Sequence, residues 1–384
     1  MSPSNRAGEY VVRPGGYRAF IPKPLPPNPP LNLDDEFVHL LSLADRAVGR
    51  LDASTINIPD PDFFVYMYVI REAELSSQIE GTQATLSDVL EVEAEAASTT
   101  RSDVNEIFNY VDAMNHGLER LREDGFPLSL RLIREIHATL LQGVRGESRQ
   151  PGEFRTTQNW IGPEGCDLQT ATFIPPPPNE MNTALNDIER FFHDEAFLPA
   201  LVRAGFLHAQ FETIHPFHDG NGRIGRLLIT LFLCKQNILR QPLLYLSHYF
   251  RNNQLLYYNY LQAVRDTGDW EAWIKFFLRG VYSVAQQASL TARKIIELRE
   301  NHRNKIQNSL GKASTKALVL LEKLYRSPII TIKGVTGMLN VSYPTAMKII
   351  GKLSELEILV GDPRKKRGKI FRYTEYQNLF TTNE

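Results

Sequence analysis

Apolar residues recur along most of this chain at the three-and-four spacing of one helix face, interrupted by short polar loops. Between 103 and 123 they fall at Val104, Ile107, Phe108, Val111 and Leu118, with charged residues between them. That spacing predicts a helix with one buried and one solvated side. The same pattern predicts helices over about 34–51, 61–80, 180–194, 247–265 and 269–305. Ser129 is placed to cap a helix running through Leu141. The stretch 199–214 brings Phe206, His208, Phe211 and Ile214 onto another. The run Leu227-Leu228-Ile229-Thr230-Leu231-Phe232-Leu233 is too long for a strand and reads as a buried helix.

Three regions depart from this pattern. Residues 1–30 are rich in Pro and Gly, which predicts an extended arm lying on the surface or disordered. From Gly152 to Ile174, two short β-like runs flank a turn containing Gly162, Pro163 and Gly165, ahead of four prolines at 175–178. A hairpin is expected there, with Trp160 packed in the core. Towards the C-terminus, Ile332–Leu339, a turn at Asn340-Val341-Ser342 and Tyr343–Leu356 predict a helix-turn-helix, with Ser342 as cap and Pro344 in the first turn. Ile358–Val360 and Ile370–Tyr373 then flank a basic tip at 362–369. There are no internal repeats. The fold class is mainly α: an arm and helical domain over 1–110, a helical core with a small β-hairpin over 111–285, and a winged helix-turn-helix domain over 305–384.

Composition narrows the setting. With 42% apolar and 23% charged residues the chain reads as a globular protein rather than a disordered one. Two cysteines, Cys166 and Cys234, are too few for a disulfide framework and lack metal-ligand spacing. No stretch offers about eighteen uninterrupted apolar residues, and the opening Met-Ser-Pro-Ser-Asn-Arg has no apolar leader segment. A cytoplasmic location without membrane contact is expected. Charge is uneven: residues 311–373 hold 13 Lys plus Arg against 4 Asp plus Glu, or +9. The whole chain is −1, so the remainder carries −10. The basic end is therefore a candidate surface for DNA phosphates, read through the helix-turn-helix and its wing. Dimerisation or target docking is the competing use of that domain.

The densest chemistry lies in His215-Pro216-Phe217-His218-Asp219-Gly220-Asn221-Gly222-Arg223-Ile224-Gly225-Arg226. It opens the apolar helix, so its glycines sit where unpaired N–H groups and the positive dipole end favour an anion. Gly220 and Gly222 allow close backbone approach. Arg223 and Arg226 can reach phosphate oxygens, His215 can take a proton near neutral pH, and Asp219 offers a hard oxygen to Mg²⁺. The parts suit phosphate-ester chemistry on a nucleotide.

The string fits the pattern His-x-Phe-x-Asp/Glu-Gly-Asn-Gly-Arg-x-x-Arg at every fixed position, and on it the chain resembles the Fic family of nucleotidyl transferases. The resemblance implies that His215 is the base for a target hydroxyl, Phe217 anchors the loop, and Asp219 holds Mg²⁺. Gly220, Asn221, Gly222, Arg223, Ile224, Gly225 and Arg226 would form the ATP phosphate site, with Arg226 on the γ-phosphate. AMP would pass from ATP to Ser, Thr or Tyr hydroxyls of a target protein, or of the chain itself, with the target held along a flap at 156–174. Tyr257 would line the adenine pocket. A homodimer is a further implication.

Ser76-Ser77-Gln78-Ile79-Glu80-Gly81 fits a second motif, Ser/Thr-x-x-x-Glu-Gly/Asn, which in this family marks an inhibitory helix. By the resemblance, Glu80 pairs with Arg226 and blocks the γ-phosphate, because one guanidinium fork cannot grip a carboxylate and a phosphate together. Asp266, Asp269 and Glu271 read as ordinary solvated charges. Competing functional readings are a DNA-binding regulator whose Fic-like domain senses nucleotide, an enzyme that removes AMP, and, more distantly, a metal hydrolase using His208, His215, His218 and Asp219.

Overall fold

The proline-rich arm forms a hairpin, where extended or disordered chain was expected. Strands β1 (Gly8–Val12) and β2 (Arg18–Pro22) pair antiparallel with Tyr10 opposite Phe20. Gly15 and Gly16, both at positive φ, make the turn that proline content alone does not reveal. Phe20 is fully buried and its N–H donates to the Ile174 carbonyl at 2.9 Å. The hairpin is thus fastened to the exit of the 152–174 segment.

Helices follow in order: α1 (Asp35–Ser54), α2 (Pro61–Ile79), α3 (Leu86–Glu93), α4 (Ser102–Arg122), α5 (Leu130–Leu140), α6 (Pro178–His193), α7 (Ala200–Ile214), α8 (Asn221–Lys235), α9 (Ser247–Asn252), α10 (Gln254–Thr267) and α11 (Trp270–Leu310). In this computed structural model the described residues are 5–54, 58, 61–94, 102–123, 125–163, 165–194, 198–311, 314–361 and 369–381. The helix expected over 247–265 is broken at Asn253, whose side chain donates to the Tyr249 carbonyl at 3.0 Å and so competes with helix continuation. The boundary expected at 110 falls inside α4, and α11 runs through 285 to 310 without a break.

Two helices are buried on all sides. Along α7 every residue from Leu201 to Ile214 is buried, as is α8 from Ile224 to Leu233. Such all-round burial marks helices at the centre of the molecule. Ile224, Leu227 and Leu231 are fully enclosed, and each contributes roughly 1.5–3 kcal/mol by leaving water. Helix α8 is therefore fixed, and the loop at its N-terminus has a rigid foundation. Gly205 lets α11 approach α7 closely; a Cβ there would lie 2.7 Å from Ile274. The Trp273 indole N–H donates to the Gly205 carbonyl at 2.8 Å. Helix α1 lies along α11 and is tied to it by Lys275 with Asp34 and Glu36.

The C-terminal part runs α12 (Ser314–Leu324), β3 (Ile329–Thr331), α13 (Ile332–Leu339), α14 (Tyr343–Glu355), β4 (Val360–Gly361), β5 (Ile370–Arg372) and α15 (Thr374–Thr381). The strands form an antiparallel sheet in the order β3-β5-β4. Helices α13 and α14 lie where the helix-turn-helix was expected, between β3 and β4; of the expected basic tip at 362–369, all but Lys369 lies outside the described residues. Ser342 stands at the N-cap of α14, but its hydroxyl bonds Thr345 Oγ1 at 2.9 Å instead of a backbone N–H.

Candidate active site

The 215–226 loop is held from three sides. His215 ends α7 in the left-handed conformation, φ 49°, a backbone state unusual for a non-glycine residue. Its carbonyl accepts from Arg155 Nε at 3.0 Å and Asn159 Nδ2 at 3.2 Å. Arg155 is 1% exposed and also donates to the carbonyls of Thr157 and Pro176. Below, the His137 ring stacks on Phe217 at 3.6 Å between centroids. Gly152 N–H donates to His137 Nδ1 at 2.8 Å, so the proton sits on Nε2 and is given to the Asp219 carbonyl at 3.0 Å. Asn221 completes the fixing: its Oδ1 accepts from Phe217 N–H and its Nδ2 donates to Phe217 O, both at 2.8 Å. Its side chain is consumed in shaping the loop, which leaves only its backbone for an anion.

The first turn of α8 is open at its N-terminus. Gly220 is the N-cap at φ 77°, and no side chain caps it. The first intrahelical bond runs from Ile224 N–H to the Gly220 carbonyl at 3.0 Å, which leaves the earlier N–H groups without an intrahelical acceptor. Arg223 is 1% exposed and turned onto Glu106 at 3.3 Å, with Asp219 at 3.6 Å. Arg226 is 2% exposed and meets the end of α2: Nε donates to Ser76 Oγ at 2.8 Å, and Nη2 donates to Ser76 O at 3.0 Å and Glu80 Oε1 at 2.7 Å. Burial opposes the Glu80 charge, but Arg226 outweighs it and holds the carboxyl below its ordinary range. Gly81, at φ +95°, turns the chain away just after Glu80, and Arg145 Nη2 donates to the Glu80 carbonyl at 3.1 Å.

A cavity of about 400 Å³ joins these groups, lined among others by Glu80, Phe173, Glu212, His215, Gly222, Arg226, Tyr257 and Arg265. The His215 Nδ1 is buried without a partner. Burial, then the Arg265 and Arg155 charges, push this imidazole down to about 3, so it is neutral at pH 7. Tyr257 is 1% exposed and its hydroxyl bonds His208 Nε2 at 2.8 Å, while Tyr258 beside it is 46% exposed. His208 Nδ1 bonds the Gly225 carbonyl; both its nitrogens are engaged in the interior, which removes it from the hydrolase cluster considered above. The Asp219 carboxylate, with 35% of its side chain exposed, lies beside the open turn, its Oδ1 accepting from Gly220 N–H at 2.6 Å, and would suit a magnesium ion held by one carboxylate plus substrate phosphates.

Other expectations need correction. The 152–174 segment is not a full hairpin; it has one bridge, Ile161 with Phe173, because prolines and side-chain bonds to the loop replace ladder pairing. Trp160 is 40% exposed and its indole donates to the Cys166 carbonyl. Asp266 and Asp269 are exposed as expected but paired: Asp266 accepts from Tyr10 and Gln262, and Asp269 caps α11, while half-buried Glu271 pairs with Arg6. Sequence reading missed His137, Arg155, Asn159, Glu106 and Glu212. All five stood in stretches given an element, but nothing in the local spacing marked their side chains as site residues.

Residues 38–119 match the Fic/DOC family N-terminal model and residues 127–233 the Fic/DOC family model. Residues 38–119 and 127–233 therefore carry the N-terminal and central domains of the Fic/DOC type. The chain is 30% identical over 203 residues to the protein adenylyltransferase Fic of Culex quinquefasciatus and to that of Aedes aegypti, covering 52% of this chain. The match spans only 37% of each of those relatives. Among solved structures, a Fic family protein from Desulfovibrio desulfuricans superposes with TM-score 0.57 at 19% identity, covering 89% of this chain and 97% of that one. That likeness shows the fold. No described helix is long and apolar enough to cross a membrane.

Proposed function

We propose that the chain is a protein adenylyltransferase that moves AMP from ATP to a protein hydroxyl and is restrained by Glu80. The observation that carries this is the uncapped first turn of α8, which shares one cavity with a neutral His215 and with Arg226. The N–H groups of that turn suit the α- and β-phosphates, and Arg226 suits the γ-phosphate once Glu80 leaves it. His215 takes the hydroxyl proton as the target oxygen forms its bond to the α-phosphorus and the bond to the leaving pyrophosphate breaks. Mg²⁺ on Asp219 would neutralise charge on the phosphates. Positioning and charge neutralisation supply most of the acceleration for such transfers. The 156–174 segment, beside the cavity, is the place for the target chain, and Ser, Thr or Tyr is its acceptor.

The test uses Glu80→Gly protein with Mg²⁺ and ATP labelled at either the α- or γ-phosphate, with His215→Ala in the same background. Protein-bound α-label without γ-label, absent in the His215→Ala protein, is expected. No label on the protein or on an added lysate would move the reading to AMP removal, which uses the same loop.

A second role is favoured by the charge of +9 over 311–373. Tyr343 and Met347, 55% and 53% exposed, line the outer face of α14 with Lys348. DNA along this face would bind with strong salt dependence; a salt-independent or absent shift of duplex DNA would remove it.

A further inference from the structure

We propose that Glu212 reads the ribose of the bound nucleotide, its carboxylate accepting hydrogen bonds from the sugar's vicinal hydroxyls; this rests on the nucleotide reading above. Glu212 stands on α7 one turn before His215 and is 7% exposed. It lines the same cavity as Gly222, Arg226 and Tyr257. Its Oε1 is buried and has no hydrogen-bond partner. Such atoms are rare, and leaving one unpaired is destabilising unless a ligand completes it.

Both guanidinium groups that could have neutralised it are occupied elsewhere. Arg226 spends Nε and Nη2 on Ser76 and Glu80. Arg265 spends Nε on Thr213 Oγ1, Nη1 on Gln262 and Nη2 on the Glu212 carbonyl. The last bond fixes the turn that carries Glu212 without touching its carboxyl. Room for the carboxyl comes from Gly225, where a Cβ would lie 2.5 Å from Oε1.

Position decides what the carboxyl meets. With phosphates on the first turn of α8, the sugar joined to the α-phosphate lies next along the cavity, before Tyr257 and Tyr258. A carboxylate there repels phosphate and accepts from donors, and a vicinal diol presents two donors at the spacing of two carboxylate oxygens. The acidic residue that holds the ribose in dinucleotide-binding folds works by the same chemistry. Charge around Glu212 is mixed: Arg226 and Arg265 favour its ionised form, burial and Glu80 oppose it, and His215 is neutral. Departure of Glu80 on nucleotide entry therefore favours the ionised, accepting form.

The experiment is calorimetric binding of ATP, 2′-deoxy-ATP and 3′-deoxy-ATP, with Mg²⁺, to Glu80→Gly protein carrying Glu212, Glu212→Gln or Glu212→Leu. With Glu212 present, each deoxy nucleotide is expected to bind about tenfold more weakly than ATP, the scale of one charge-assisted hydrogen bond. With Glu212→Leu the three affinities converge to within about twofold, and Glu212→Gln falls between, since it keeps an acceptor and loses the charge. Equal affinity for all three nucleotides in the protein that retains Glu212 overturns the assignment and needs no variant at position 212. Discrimination that persists unchanged in Glu212→Leu also overturns it. Failure of Glu80→Gly protein to bind ATP at all would instead bring down the nucleotide reading, and this assignment with it.

Discussion

Oε1 of Glu80 lies against Gly222, in the space a Cβ on residue 222 would fill, so the position this carboxylate takes in its pair with Arg226 depends on residue 222 being glycine. The carboxylate occupies the space above the open helix end that a phosphate would need. One glycine thus serves the bound carboxylate and the proposed bound nucleotide alike.

Gly222→Ala tests this by a change of sign. With Glu80 present the new methyl collides with its carboxylate and breaks the pair, which should destabilise the protein by about 1 kcal/mol. With Glu80→Gly the collision is gone and alanine in a helical turn should stabilise by roughly 0.5–1 kcal/mol. Urea unfolding of the four proteins gives the coupling; additive effects would mean that the two residues do not compete for space.

Removing the Glu80 carboxylate frees one arm of the Arg226 fork. ATP should then bind at least about tenfold more tightly, the worth of a charge-assisted contact to a phosphate. Calorimetry on Glu80→Gly against the unmodified protein measures this, and identical affinities would end the inhibitory role.

His215 should stay neutral over the working pH range. Its pKa is pushed down to about 3, first by burial and then by Arg265 and Arg155. A folded-state value below the unfolded one contributes stability that is present above about 6.5 and is lost as pH falls towards 3. The His215 ring-proton resonance, assigned by its loss in His215→Ala, should not shift between about pH 8 and 5. A midpoint near 6.5 would show an exposed, ordinary imidazole.

Glu212 has the opposite linkage. Burial raises its carboxyl to about 7, above an unfolded value near 4.3. Its contribution to stability is fully present below the unfolded pKa and is lost as pH rises through about 7. Glu212→Gln should therefore gain stability relative to the unmodified protein between about pH 5 and 8, read by urea unfolding at both. A difference that does not change with pH would mean the carboxyl titrates normally.

The C-terminal part reaches α2, the helix that leads into Glu80, directly. Phe380 on α15 packs against Tyr68 and Phe64 of α2, with centroids at 5.7 and 6.5 Å, and Arg372 pairs with Glu91 of α3 at 2.6 Å. Phe380→Ala should remove about 2–4 kcal/mol of local packing, speed hydrogen exchange across 64–80 and raise α-label incorporation. Unchanged exchange in α2 would show that the two parts are not coupled through this contact.

Much of the fold was legible because its signals are local. Apolar spacing marked most helices from α1 to α14, and the 215–226 string carried its own turn glycines, anion-binding helix start and arginines. Ser76 and Glu80 were legible as a motif for a similar reason, being four residues apart. The departures have a common origin in partners distant along the chain. The hairpin of the arm is stabilised by Ile174 and by α10, and its Tyr10 bonds Asp266. No spacing rule could place His137 beneath Phe217 or Arg155 behind His215, since those contacts bridge 80 and 60 residues of chain. The sequence by itself determined the helical class and the chemistry of the loop, because both depend on neighbours within one or two turns. Only the tertiary structure decided which carboxylates meet which guanidiniums, and left the Glu212 oxygen unpaired, because burial and partner choice depend on residues brought together from distant parts of the chain.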